Sequence, residues 1–292
     1  DTALIEKSRE LIENRTIAFG TPILAGVGRE SETSSACTVI DVPETSGKVS
    51  WKMLTSHMTT MLSAGLGTGI DLSELDEPAK VLTELNEFVD ELNIKLISSN
   101  KRPVACMATL RGDHPKIIDF IHVKKNANFN RWHFNISVWV NENLFSQKTD
   151  PLLLNTIVES AHYCAEPGIL FFDRYNRDNP TPDWTYSSVA PCGEIAMASG
   201  EACQFSYINL SYLVKKVGAT YVFDWEQFII ATKILTRLLD SAVQMSGEYS
   251  GLNLDRVLAK RRIGVGITGF AGLLINLHLP YASDEAKKLA QH

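Results

Sequence analysis

Hydrophobic residues recur at the interval of an amphipathic helix over Thr2 to Glu13, Trp51 to Ser63 and Glu77 to Ile97. Between these stretches the pattern changes to β-branched and apolar runs. Ser34 to Asp41, Val104 to Leu110 and Phe134 to Val140 read as strands, and Ala64 to Ile70 as a glycine-rich turn entering a short one. Ile17 to Leu24 reads as extended, after which Gly28 to Thr33 is a polar loop. Ile169 to Asp173 is apolar throughout, the pattern of a strand buried on both faces. Helix starts are marked by Asp113 with Pro115 (helix Lys116 to Lys124), by Asp150-Pro151, by Asp224 with Gln227 (helix to about Gln244) and by Ser283. Asn176 to Ala190 is irregular, Ile263 to Ile267 extended and Phe270 to Leu277 helical.

The alternation of strands and helices predicts an α/β fold with mostly parallel strands, a single domain over residues 1–292. The rhythm is still running at the last helix, so a larger architecture is expected. The formal net charge is −6, which disfavours broad electrostatic binding to nucleic acid or an acidic membrane surface. No apolar run reaches the ~18 residues of a bilayer span, and Asp1 to Lys7 has no signal-peptide layout. The five cysteines, Cys37, Cys106, Cys164, Cys192 and Cys203, are odd in number and form no C-x-x-C pair. That points to a cytoplasmic protein with reduced thiols, in which a buried inert cysteine is the ordinary case.

One cysteine stands apart. Cys192 lies between Pro191 and Gly193, with Glu194 two residues on. Proline fixes φ and glycine admits strained backbone, so the thiol is presented at a defined loop. If that loop is extended, residues 192 and 194 face the same side and can address one substrate. A turn with a buried thiol and a solvated glutamate has the same composition, and the four residues alone do not separate the two.

Pro191-Cys-Gly-Glu194 resembles the radical-cysteine motif of ribonucleotide reductases, in the form used by the adenosylcobalamin-dependent class II enzymes. Further segments resemble that family's landmarks in the family's order. They include Thr21-Pro-Ile-Leu-Ala-Gly, Ser34-Ser-Ala-Cys37, Gly67-Thr-Gly-Ile-Asp-Leu-Ser, Ala108-Thr-Leu-Arg-Gly-Asp-His-Pro, Asn135-Ile-Ser-Val, Asp173-Arg-Tyr-Asn-Arg-Asp-Asn-Pro-Thr-Pro, Ile208-Asn-Leu-Ser and Ile263-Gly-Val-Gly-Ile-Thr-Gly-Phe-Ala. The resemblance implies the family's ten-stranded α/β barrel, of which this chain holds the N-terminal part. It implies a thiyl radical on Cys192, Glu194 as the group that takes the 3′-hydroxyl proton, and Cys37 with Cys203 as the thiols oxidised to a disulfide. Thr21, Ser35, Ala36, Ala190 and Gly193 fall at substrate-binding positions. Asn100, Lys101 and Arg102 fall in the loop linking effector to substrate; the same residues also read as a basic surface turn.

The implied cofactor is adenosylcobalamin, with a radical from a separate metal-containing subunit as the class I alternative. The implied partners are a ribonucleotide, nucleotide effectors, a thioredoxin-like or other external dithiol reductant, and a second chain that completes the barrel or forms a homodimer. No metal site is expected within the chain. Two positions depart from the family: Ala190 where an asparagine is usual, and Ala36 where a serine is usual. These keep two rivals open, a divergent radical enzyme acting on another nucleotide or sugar and a non-catalytic paralogue that binds a nucleotide or a partner. Gly264-Val-Gly-Ile-Thr-Gly269 matches a dinucleotide fingerprint, but the basic segment before it makes a poor leading strand, so a nicotinamide enzyme is a distant reading.

Overall fold

The computed structural model describes residues 2–26, 33–45, 48–125, 131–142, 151–247 and 252–292. In chain order the elements are α1 (Thr2–Glu13), β1 (Ile17–Phe19), α2 (Thr21–Gly26), β2 (Cys37–Ile40), β3 (Glu44–Thr45), β4 (Lys48–Val49), α3 (Trp51–Ser63), β5 (Gly67–Asp71) and α4 (Pro78–Ser98). They continue with β6 (Cys106–Arg111), α5 (Ile117–His122), β7 (Phe134–Val140), α6 (Pro151–Cys164), β8 (Gly168–Phe171), α7 (Phe172–Arg177), β9 (Ser188–Val189), β10 (Ala196–Met197) and β11 (Ala202–Asn209). The last are β12 (Val214–Val217), β13 (Thr220–Phe223), α8 (Trp225–Gly247), α9 (Leu254–Lys260), β14 (Ile263–Thr268), α10 (Phe270–Asn276) and α11 (Asp284–Gln291).

The main sheet runs β1-β11-β2-β5-β6-β7-β8, with β14 on β11's other edge, and curls into part of a barrel. Strands β2, β5, β6, β7 and β8 are parallel neighbours. Strands β11 and β14 form a second parallel group, antiparallel to the first, and the two meet where Cys203 pairs with Cys37. The expectation of mostly parallel strands therefore holds within each group and fails at the seam.

Strand alternation sorts the faces. Ile70, Cys106, Ala108, Leu110, Phe134, Ile136 and Val138 point outward into a core shared with α3, α4, α5 and α6. The opposite faces carry Gly67 and Gly69, Met107 and Thr109, Asn135 and Ser137, a surface too small and polar to be an ordinary core. The hairpin β9–β10 fills it, packing Val189 and Ala196 on Met107 and Leu170, and Ala190 and Met197 on Val39 and Cys203.

Several local readings are corrected. Residues 21–26 form a helix where extended chain was expected. Helix α5 starts at Ile117 without a side-chain cap; Asp113 instead pairs with Arg111 at 3.2 Å, and His114 Nδ1 accepts from the Lys116 amide at 3.0 Å. Ile169 on one face of β8 is 37% exposed, so the strand is not buried on both faces, and among the described residues it pairs only with β7. The polar loop read at Gly28 to Thr33 and the cap at Asp150 lie largely or wholly outside the described residues.

Candidate active site

Cys192 sits at the tip of the β9–β10 hairpin. The Ala190 amide donates to the Ile195 carbonyl at 2.9 Å, and the Gly193 amide to the Ala190 carbonyl at 2.8 Å. Pro191 occupies the turn's second position, and Gly193 has φ 75°, a left-handed conformation that a side chain would strain. The loop is thus a tight turn, not the extended segment that would put residues 192 and 194 side by side. Both nevertheless line one cavity of about 660 Å³.

Three contacts fix the hairpin on the sheet. Asn135 Nδ2 donates to the Pro191 carbonyl at 2.7 Å, Ser188 Oγ lies 3.1 Å from Thr109 Oγ1, and Gly69 sits directly beneath Val189. A Cβ at residue 69 would fall 1.9 Å from the Val189 carbonyl oxygen. Gly69→Ala is therefore expected to lift the hairpin and cost about 1–3 kcal/mol, the usual range for overpacking. Chemical denaturation measures it, and an unchanged midpoint would show that the hairpin is not seated as described.

The cavity is bounded by Thr21 at the start of α2, Ala36 just before β2 and Cys37 at its start, Arg102 after α4, and Cys192 with Glu194 on the hairpin. Phe205 and Tyr207 of β11 form an aromatic wall. Cys203 lies behind Cys37 and is 5% exposed. The two are directly opposed across an antiparallel pair. Such positions have Cα atoms about 4.5–5.5 Å apart, within the span of a disulfide. The hydrogen bond with Cys203 pushes the Cys37 thiol far up, and burial and the nearby Cys203, Glu194 and Cys192 add to it. Cys192 is raised too, by partial burial and then by Glu194 and Cys203. All the causes keep these two groups as thiols, the state from which a hydrogen atom can be taken or given.

Arg102 donates from Nη2 to the Gly65 carbonyl at 2.8 Å and Lys101 from Nζ to the Ser63 carbonyl at 3.0 Å, so this basic turn is tied to the end of α3. Only Arg102 of the three reaches the thiol cavity; Asn100 closes α4 with φ 55°. Three other expected positions sit elsewhere. Ser35 is fully buried and accepts from Gln204 Nε2 at 2.8 Å; Ala190, in the hairpin itself, is fully buried against Val39 and Cys203; Gly193 shapes the turn without lining the cavity. Cys106 is fully buried, and burial pushes its thiol up to about 12. Cys164 Sγ lies 3.3 Å from the Glu166 carbonyl, away from this cavity. Among the described residues no group of three or more His, Cys, Asp or Glu side chains is arranged to hold a metal ion, and no helix is long and apolar enough to cross a membrane. The glycines of the 264–269 motif lie within and after β14; Gly264 and Gly266 give room to Phe205 and Tyr207 rather than forming a phosphate loop.

Sequence reading missed Asn135 as an anchor and Gly67 and Gly69 as clearance. A Cβ on Gly67 would meet Pro191 at 2.9 Å and Cys37 Sγ at 3.4 Å. Alternate glycines inside a strand were the available signal, since they mark a close backbone approach.

The profile of the ribonucleotide reductase barrel domain matches residues 35–151 and 151–292. The chain belongs to the ribonucleotide reductase family. It is 27% identical to a vitamin B12-dependent ribonucleoside-diphosphate reductase of Mycobacterium tuberculosis, over 98% of this chain and 45% of that protein. It is also 27% identical to one of Thermoplasma acidophilum, over 98% of this chain and 41% of the relative. The solved class Id ribonucleotide reductase alpha subunit of Actinobacillus ureae superposes with a TM-score of 0.74 at 18% identity, covering 97% of this chain and 56% of that one. The chain thus spans less than half the length of these curated relatives, and its partial barrel agrees with that.

Proposed function

We propose that this chain, a cytoplasmic protein, carries the thiol and carboxylate groups of a ribonucleotide reductase active centre, and that the cavity holds the ribose of a ribonucleotide. The observation that carries the reading is the convergence of Cys37, Cys192 and Glu194 on one cavity, with Cys203 directly behind Cys37. The Cys192 sulfur, as a thiyl radical, takes the 3′ hydrogen. Glu194 takes the 3′-hydroxyl proton, which favours loss of the 2′-hydroxyl as water. Cys37 and Cys203 supply two electrons and two protons and become a disulfide, and Cys192 returns its hydrogen to C3′. The products are a 2′-deoxynucleotide, water and a disulfide that an external, thioredoxin-like dithiol reduces for the next turnover.

The relatives named above are vitamin B12-dependent, and the site fits a radical source outside the chain, because Cys192 is exposed at a turn tip. Adenosylcobalamin, when bound, supplies the radical by homolysis of its cobalt–carbon bond. Arg102 reaches the cavity from the turn at residues 100–102, which supports this turn as the link between a nucleotide effector and the substrate. Strands β8 and β14 each pair on one side only among the described residues, and Ile169, Val265 and Ile267 are exposed there. Open apolar edges of this kind pair with further strands, so the remaining barrel strands, in this polypeptide or a second one, are expected to close across them.

Incubation with a ribonucleotide and adenosylcobalamin but no dithiol should give one deoxynucleotide per active site. Peptide mapping should then show a Cys37–Cys203 disulfide. Product without that disulfide, or a disulfide joining other cysteines, would overturn the assignment of the pair.

A further inference from the structure

Asp71 ends β5 beneath the catalytic hairpin, yet plays no part in the chemistry above. Its Oδ1 accepts from Ser73 Oγ at 2.8 Å and from Thr109 Oγ1 at 3.1 Å. Thr109 Oγ1 is in turn 3.1 Å from Ser188 Oγ, and both residues are fully buried. Ser188 is the first residue of β9, four positions before Cys192. A chain of three side chains therefore joins a carboxyl group on the sheet to the base of the hairpin that presents Cys192 and Glu194.

The chain has a direction set by hydrogen counting. Thr109 has one hydroxyl hydrogen and three acceptors within reach: Asp71 Oδ1, Ser188 Oγ and the Ile70 carbonyl at 3.3 Å. When Asp71 is ionised, it is the strongest acceptor and takes that hydrogen. Thr109 Oγ1 is then free to accept from Ser188, and the hairpin is tied down. When Asp71 is protonated, Thr109 Oγ1 still accepts from Ser188, but its hydroxyl is no longer polarised by a charged acceptor and the tie weakens.

We propose that Asp71 is a positioning residue for this site, setting through Thr109 and Ser188 how firmly the Cys192 hairpin is held. Burial raises the Asp71 carboxyl to about 6, against the lowering pull of Ser73, Thr109 and Arg111, so the strength of the tie changes near the lower edge of physiological pH. The groups around it are accounted for. Asp41, Glu44 and Glu74 share with Asp71 a cavity of about 470 Å³, and Arg111 at the end of β6 is paired with Glu74 and Asp113. The hairpin contributes only Ser187 and Ser188 on this side.

The signs separate this role from a merely structural one. A carboxyl whose folded value lies above its unfolded value of 3.8 lowers global stability as pH rises from about 4 to about 6. The hairpin tie strengthens over the upper part of the same range. Hydrogen exchange on the full chain, corrected for intrinsic rates between pH 5 and 8, reads the second effect at the Ser187, Ala190 and Gly193 amides. Their protection should rise a few-fold with a midpoint near 6, as expected from the strengthening of one buried hydrogen bond by a charged neighbour. The rise should vanish in Asp71→Asn and in Ser188→Ala. Thr109→Val, which keeps the Asp71–Ser73 bond, decides the matter if Asp71→Asn does not fold. A rise that persists in Thr109→Val, or none in the wild type, overturns the proposal. The proposal rests on the reductase reading only for its catalytic consequence; exchange involves no turnover, so the two can fail separately.

Discussion

Cys192→Ser is expected to bring deoxynucleotide formation below detection while leaving the fold and its stability unchanged. The hydroxyl replaces the thiol at an exposed turn tip, where substitutions ordinarily move stability by no more than about 0.5 kcal/mol. What changes is the strength with which the side chain holds its hydrogen, and an extra barrier of only about 5 kcal/mol already slows a step by nearly four orders of magnitude. Cys106→Ser is the matched control. That thiol is fully buried in the outer core, so a hydroxyl placed there should lower the unfolding midpoint without touching the chemistry. Product analysis beside thermal unfolding separates the two. Deoxynucleotide made by the Cys192→Ser chain would remove the basis of the radical assignment, whereas no deoxynucleotide from the unsubstituted chain would favour one of the rivals left open by Ala36 and Ala190.

Elements that bury one regular face were legible in the sequence. Helix α3 and strand β7 fall on the residues read for them, Trp51–Ser63 and Phe134–Val140, because helical spacing and alternate apolar positions report directly on packing. Strand β11 was not read, although it carries Cys203. Its buried positions include Gln204 and Ser206 as well as Ala202 and Cys203. Gln204 is buried because its amide donates to Ser35 and Ser246, partners 169 and 42 positions away that no local pattern reveals. The exposed hairpin β12–β13 was missed for the opposite reason: Lys215, Lys216, Thr220, Tyr221 and Val222 face water and bury no stripe. Strand β8 looked doubly buried because its sequence suits a strand with neighbours on both sides, and here β7 is the only one among the described residues. The site divides in the same way. Cys37, Cys192, Cys203 and Glu194 were named from their motifs, whereas the seat that aims them depends on Gly67, Gly69, Thr109 and Asn135, whose roles exist only once strands are neighbours.

Glu201→Ala is expected to cost about 3–5 kcal/mol, a large share of the roughly 5–15 kcal/mol that holds a domain together. Glu201 is 1% exposed and sits between two cations: Lys260 Nζ at 2.5 Å from Oε1 and Arg262 Nη2 at 3.1 Å from Oε2. The Lys260 side chain is 3% exposed, with its ammonium 5.0 Å from the Trp184 ring centroid and 5.2 Å from that of Tyr186. Removing the carboxylate leaves this buried ammonium with aromatic faces alone, which replace only part of its lost hydration. The damage should reach the thiols. Glu201 also accepts a Thr38 hydroxyl at its carbonyl at 2.6 Å, and Ala202 and Cys203 follow it into the seam with Thr38 and Cys37. Urea unfolding should show the lower midpoint, and diamide oxidation of the folded chain should give less Cys37–Cys203 disulfide. Adding Lys260→Met and Arg262→Leu to Glu201→Leu should restore much of the stability, since apolar side chains of similar volume replace a buried ionic triad at little cost. A midpoint unmoved by Glu201→Ala would mean that the cations are solvated and that the seam is held by its backbone bonds alone.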